Sequence, residues 1–373
     1  MKKIEQLVNS GCPAKALRFL ENYISNNQVD ITPEVLEQIK QLFPASNDQD
    51  RLPCGQSTTH PDINYGDLDN MDMEMLTHAN GVKFASDIFK LHLERLPVKS
   101  SPAFSGWTYD LIKQLVFKSE VSETLLKTTK EFLELLVSGK VNASVWYNSS
   151  RLIPLAKKGQ ETLKVRPIAI MDTWLRLASR LLMQKVASLA KDCLMPLQVG
   201  IGVSGGSELP CHIAKLFYDG TSSHVHLKDS NIQTVDFSNA FNTMRRCAIY
   251  DQLEDKFSML IPFFRWCYGG PTPLYDIDGK WICEAATGVK QGDPLGPLYF
   301  ALGLQPLLER ASDKFANIHI LGYLDDITLM GKRKDTSLCF RWLCKESIDI
   351  GLTVNTNKSS QLDIPSGVEN GNV

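Results

Sequence analysis

Apolar positions recur at helical spacing near the start of the chain. Leu7, Ala14, Leu17, Leu20 and Tyr23 form one series, and Val35, Leu36, Ile39 and Leu42 a second. Thr32-Pro33 predicts a helix start, with Thr as cap and Pro in the first turn. Residues 1–45 therefore read as a helical extension. Residues 46–75 shift to Asn, Asp, Gln, Ser, Pro and Gly, the composition of a polar linker or exposed loop. From Glu74 to about residue 140 the helical period returns. RLIPLAKK and KVRPIAIM are then two short apolar runs around a charged turn, which predicts a β-hairpin with a basic tip. A helix follows in WLRLASRLLMQKVASLA, then the glycine-rich PLQVGIGVSGGSE, then a helix from about Leu209.

NIQTVDFSNAF predicts a strand with Asp236 at its end, and a helix is expected through DQLEDKFSMLIPFFRW. LYDI-DG-KWIC reads as a hairpin with a two-residue turn at Asp278-Gly279. TGVKQGDPLGP runs into an apolar helix of about four turns ending near Arg310. NIHILGYLDDITLMG is strand, two acids, strand. A last helix carries Trp342, Leu343 and Ile348, and GLTV predicts a short strand before NTNKSS.

Composition adds limits. Of 373 residues, 43% are hydrophobic and 22% charged, enough for a sizeable core. The net charge is -2, from 40 basic and 42 acidic residues, so any nucleic-acid surface must be locally basic. The nine cysteines are scattered without a C-x-x-C pair, which argues against a zinc site or a disulfide framework and for reduced thiols in an intracellular protein. MKKIEQLVNSG lacks the apolar stretch of a secretory signal. PLGPLYFALGLQPLL is interrupted by Gly, Pro and Gln, so no membrane partner is expected.

Asp325 and Asp326 stand together between two apolar runs. One reading is a solvated hairpin tip, since aspartate tolerates turn geometry. The other is a metal site, because adjacent carboxylates at the rim of a buried sheet repel unless a cation neutralises them. Asp236 supplies a further carboxylate after another apolar strand, although capping a helix there would equally suit it. Gly200, Gly202 and Gly205 spell G-x-G-x-x-G, but neither a preceding strand nor a downstream acid accompanies them. That excludes a dinucleotide fingerprint and leaves a turn entering a helix.

TVDFSNAF, GVKQGDPLGP and LGYLDD, in this order, resemble three palm motifs of reverse transcriptases, most closely of the non-LTR retrotransposon type. RLIPLAKKG with KVRPIAI resembles that family's fingers hairpin, SGWTYDLI a segment upstream of it, and GLTVNTNKS the palm motif after the acids. The resemblance covers about residues 100–360. It implies an α+β right-hand polymerase: a helical extension at 1–45, a linker at 46–75, fingers with upstream helices at 76–235, a palm with an antiparallel sheet packed on helices at 236–360, and a polar tail at 361–373.

The implied activity is RNA-directed DNA polymerisation, with an RNA template, a DNA or RNA primer and dNTPs as partners and two Mg²⁺ ions, replaceable by Mn²⁺, as cofactors. Asp236, Asp325 and Asp326 would form the catalytic metal cluster, with the Phe237 carbonyl facing a metal. Lys157, Lys158 and Arg166 would clamp the triphosphate, the lysines otherwise reading as a solvated hairpin tip. Phe241 would crowd a 2′-hydroxyl, its plainer reading being a core phenylalanine. Gln291 and Gly292 would lie near the incoming nucleotide, and Lys358 would protonate departing pyrophosphate. Tyr323 would pack near the primer terminus, and Ser105, Gly106 and Trp107 near the template, although Ser105 or Thr108 equally suits a helix cap.

The resemblance also implies a thumb beyond Lys358, where IPSGVENGNV cannot supply one. The expectation is a truncated fragment, with thumb or endonuclease left to another polypeptide. Work in the nucleus suits such an element, though GKRKD is too short for a localisation run. Two alternatives remain: a non-catalytic RNA-binding remnant of the same fold, and an RNA-templated RNA polymerase, against which Phe241 and QGDPLGP argue.

Overall fold

The fold is that of a computed structural model, which describes residues 28–45, 52, 82–97, 100–141, 147–156, 163–220 and 229–364. Among these, the helices are α1 (Pro33–Leu42), α2 (Ser86–Glu94), α3 (Tyr109–Lys118), α4 (Ser122–Val137), α5 (Thr173–Leu194), α6 (Leu209–Tyr218), α7 (Ala240–Thr243), α8 (Arg246–Lys256), α9 (Ile261–Tyr268), α10 (Gly296–Lys314) and α11 (Arg333–Glu346). The strands are β1 (Ser150–Ala156), β2 (Val165–Met171), β3 (Ser230–Val235), β4 (Thr272–Tyr275), β5 (Trp281–Ala285), β6 (His319–Tyr323), β7 (Asp326–Lys332) and β8 (Gln361–Asp363). The architecture is mixed α+β, with two four-stranded sheets ordered β2-β1-β4-β5 and β6-β7-β3-β8.

The second sheet is antiparallel throughout. Its alternating residues enter two different cores. Val235, Ile320, Ile327 and Leu329 join the main core, while Ile232, Leu321 and Met330 pack with Phe217 of α6 on the other face. Burial on both faces is why these strands read as nearly continuous apolar runs. Each such Leu or Ile withdrawn from water stabilises by about 1.5–3 kcal/mol. Helix α10 is buried on all sides, from Leu298 through Leu308, so its apolar sequence reflects a central core helix. Among the described residues, no helix is long and apolar enough to cross a membrane.

Several local expectations change. The helix expected through DQLEDKFSMLIPFFRW breaks into α8, a 3₁₀ turn at Ser258–Leu260, and α9. Pro262 lacks the N–H and the room that a continuous helix needs, so the chain restarts there. The β4–β5 hairpin turns through three residues, 277–279, because Asp276 accepts from the N–H groups of Asp278 and Lys280. GLTV contributes one bridge, Val354 to Phe237, and the strand beside β3 is instead β8. The sheets also cut across the 235/236 boundary. Strand β3 lies beside β7, whereas β4 and β5 join the β1–β2 hairpin.

The helical series from Leu7 to Tyr23, most of 46–75 and the tail from residue 365 lie outside the described residues. The described part of the extension is no separate unit. Val35 and Ile39 of α1 are buried against Leu152, Val165, Ala169, Leu274 and Ile282 of the first sheet. Thr32 caps α1 as the sequence implies, accepting from the Val35 N–H at 3.4 Å. The seven cysteines among the described residues are free thiols.

Candidate active site

The register of the second sheet assembles the carboxylates. Val235 pairs with Ile327, so one step further Asp236 stands opposite Asp326 at the same sheet edge. Tyr323 pairs with Asp326, which leaves Leu324 and Asp325 as the two-residue loop of the β6–β7 hairpin. Beyond β3 the Asp236 backbone is held by the segment after GLTV. Its N–H donates to Ser359 Oγ at 3.1 Å, and its carbonyl accepts from the Asn355 N–H at 2.7 Å. Ser359 is a supporting residue that sequence reading missed. A serine in NTNKSS is a visible signal, but its partner lies 123 residues away.

Among the described residues, no salt bridge compensates the charge of this edge. Burial first, then the charges of Asp326 and Asp236, raise the Asp325 carboxyl above its ordinary range, and Arg166 opposes the rise. Burial and Asp236 raise Asp326 likewise. Asp236 Oδ2 is buried without a hydrogen-bond partner. Among the described residues, none of the three aspartates forms an ion pair. No group of three or more His, Cys, Asp or Glu side chains among the described residues, these aspartates included, converges closely enough to hold a metal ion by itself. The adjacent like charges and the orphaned Asp236 oxygen fit hard divalent cations of the Mg²⁺ kind, which commonly take one or two carboxylates and complete their shell with water and substrate phosphate. An orphaned buried carboxylate oxygen among like charges is a ready ligand for them.

Arg166, exposed on the otherwise largely buried β2 and across the hairpin from Leu155, is close enough to lower the Asp325 carboxyl. Lys157 and Lys158 lie outside the described residues. Gln291 is half-buried, and its carbonyl accepts from the Ala169 N–H of β2 at 3.0 Å. Gly292 follows at φ 145°, and a Cβ there would lie 2.3 Å from the Ala169 carbonyl oxygen. Only glycine lets the QGDP loop lie so close to the hairpin. Phe241, in α7, stacks on Phe300 at 4.7 Å and 15° while staying partly exposed. Its core role and a second, exposed role are compatible. Phe237 is buried and bridged to Val354.

Tyr323 and Lys358 adjoin the acidic edge through the backbone, whereas the contacts of Ser105 and Trp107 lie elsewhere. Tyr323 is half-buried beside the smaller core. Lys358 is exposed on the 355–359 turn, its N–H donating to the Asn355 carbonyl at 3.1 Å. Ser105, Gly106 and Trp107 lie just before α3, and Ser105 and Trp107 contact the start of α5. Trp107 packs edge-on against Trp174 at 5.3 Å, and its carbonyl accepts from Thr173 Oγ1 at 2.6 Å. Ser105 accepts from the Trp107 N–H and bonds to Asp172, whose carboxyl burial raises. Of the two capping candidates, Thr108 is the one that caps α3, at 3.2 Å.

Comparison with known proteins follows the same residues. The reverse transcriptase (RNA-dependent DNA polymerase) family profile matches residues 155–367. The chain is 25% identical over 287 residues to the retrotransposable element SLACS 132 kDa protein of Trypanosoma brucei gambiense, spanning 75% of this chain and 23% of that protein. It is 25% identical over 240 residues to the Pol polyprotein of type-2 retrotransposable element R2DM of Drosophila melanogaster, spanning 60% and 22%. The chain thus covers under a quarter of the length of these relatives. A solved telomerase from Candida tropicalis is similar at TM-score 0.44 and 13% identity, over 61% of this chain and 42% of that one.

Proposed function

Because the chain belongs to the reverse transcriptase (RNA-dependent DNA polymerase) family, resembling its non-LTR retrotransposon members, we propose that it adds dNTPs to a primer 3′-hydroxyl on an RNA template. One observation carries the reading. The β3–β7 register sets Asp236 opposite Asp326 and beside Asp325, with no salt bridge to any of them among the described residues. In this reading the β6-β7-β3-β8 sheet is the palm, and the β2-β1-β4-β5 sheet belongs to the fingers.

Asp236, Asp325 and Asp326 would hold two Mg²⁺ ions, or Mn²⁺ in their place, with the Phe237 carbonyl beside them. When bound, such ions activate the attacking hydroxyl and stabilise the leaving oxygen of an in-line displacement. The protein's own residues position the substrate. Arg166 offers a bidentate phosphate contact across the cleft, with Lys157 and Lys158 as point charges. The partly exposed edge of Phe241 would crowd a 2′-hydroxyl. Gln291 and Gly292, locked to β2 through Ala169, would border the incoming nucleotide. Lys358, free in water on its turn, would give a proton to pyrophosphate. Tyr323 would back the primer terminus, and Ser105–Trp107 would border the template.

The test is primer extension by the purified chain on an RNA template with dNTPs and Mg²⁺ or Mn²⁺, beside Asp325→Ala. Extension that the variant abolishes supports the polymerase. Folded wild-type protein that binds RNA but adds no nucleotide would replace it with an RNA-binding role.

A further inference from the structure

The hairpin loop that carries Asp325 has an unusual backbone. Leu324 sits at φ 57°, in the left-handed region. Two-residue hairpin loops usually give such positions to Gly, Asn or Asp. A leucine there costs about 1–2 kcal/mol, and persists only where the surroundings hold it.

The holding group is Gln198, which the sequence presented only as the lead-in to a rejected glycine motif. Its side chain is 0% exposed. Its Oε1 accepts from the Leu324 N–H at 3.0 Å, and its Nε2 donates to the Leu324 carbonyl at 2.9 Å. One side-chain amide thus satisfies both backbone polar groups of the left-handed leucine. The amide's orientation follows from its partners, since one is only a donor and the other only an acceptor. Gln198 is itself fixed, its N–H donating to Leu194 at the end of α5 at 2.9 Å. On either side, Val199 N–H donates to Gly322 and Gly322 N–H to Leu197, at 2.8 and 2.6 Å. Gly200 completes the fit, because a Cβ there would stand 2.9 Å from Leu324 Cγ.

We propose that Gln198 is the positioning residue of the acidic turn, holding Leu324 left-handed so that the Asp325 carboxylate faces Asp236 and Asp326. The chemistry is selective. A glutamate keeps the acceptor and loses the donor. A methionine keeps the volume and loses both. An asparagine is one methylene short. The consequence for cation binding rests on the polymerase reading above, whereas the consequence for the turn does not.

Three measurements on the full chain test this. Hydrogen exchange at the Leu324 amide is read by NMR on ¹⁵N-leucine-labelled protein. Mn²⁺ affinity is read from the free-ion EPR signal. Primer extension is read on wild type. In Gln198→Met, the Leu324 amide should exchange about 100-fold faster, and Mn²⁺ affinity should fall about tenfold, with exchange in α10 unchanged. Gln198→Glu, which keeps the acceptor, should retain part of the protection, and it serves alone if the methionine variant does not fold. Equal Leu324 protection in wild type and variant overturns the proposal. So does lost protection with undiminished Mn²⁺ affinity. Wild type that extends no primer, yet loses protection and Mn²⁺ affinity on substitution, leaves the positioning role standing and removes the polymerase.

Discussion

Arg246 and Asp325 are both charged side chains drawn at least partly out of water, yet they are treated in opposite ways. Arg246 is 2% exposed and donates to the carbonyls of Gly288, Tyr268, Gly270, Ala285 and Thr287. Beside it, Lys290 Nζ donates to the carbonyl and Oδ1 of Asn148, and the Tyr268 hydroxyl donates to Asp293 at 2.6 Å. Burial holds Lys290 down at about 8 and raises Asp293. Every one of these groups has a partner, and together they bind the loop after α9 to the QGDP loop. The three aspartates have like charges, an orphaned oxygen and, among the described residues, no ion pair. Both clusters hold groups whose titration burial shifts, Lys290 and Asp293 in one and Asp325 and Asp326 in the other. What separates scaffold from site is whether the charge is already answered inside the protein.

That contrast can be broken most severely at Arg246. Arg246→Met should cost about 4 kcal/mol, since it strips donors from several buried carbonyls at once. A urea unfolding midpoint that barely moves would show the cluster to be dispensable. Asp325→Asn should act in the opposite sense. Relief of like-charge repulsion should leave stability unchanged or raised by up to about 1 kcal/mol, while extension falls at least about 100-fold. Equal loss of stability and activity would make Asp325 another scaffold residue.

The contrast sharpens with cation and with pH. Mg²⁺ at ten times its Kd should stabilise wild type by about 1.4 kcal/mol, and Asp325→Asn should lose most of that gain, as thermal unfolding would reveal. The smallest effect is the pH dependence without metal. Asp325 and Asp326 are raised in the folded state above the ordinary 3.8, so the folded state holds more protons just above that value. Their contribution is complete below pH 3.8 and is lost as pH rises through the folded-state values. Unfolding midpoints for wild type and an Asp325→Asn, Asp326→Asn double variant should therefore converge toward acid and separate toward neutrality, with the double variant more stable. Parallel profiles would contradict the raised carboxyls.

The sequence displayed the carboxylates because strands have a period of two and apolar runs announce burial, so acids at strand ends stand out. It displayed Thr32 and Thr108 for a similar reason, since a cap acts on its own next turn. It did not display Gln198, Arg246 or Lys290. Each has backbone partners, at 126, 42 and 142 residues' separation, and a carbonyl has no side-chain signature. The break at Pro262 was visible but was outweighed by apolar spacing. The amphipathic series in α1 implied a buried face without saying what would cover it, so the segment read as an appendage.

That segment has a mechanical consequence. Helix α1 lies on the β2-β1-β4-β5 sheet, and its last carbonyl, on Leu42, accepts from Asn239 Nδ2 at 2.7 Å. Asn239 stands three positions beyond Asp236, itself at φ 53°. A strap fastened to one sheet is thus hooked to the turn that leaves the other's acidic edge. Any swing between the two sheets must stretch or release that hook, so the reach of the hairpin and the posture of the chain beyond Asp236 are geared together.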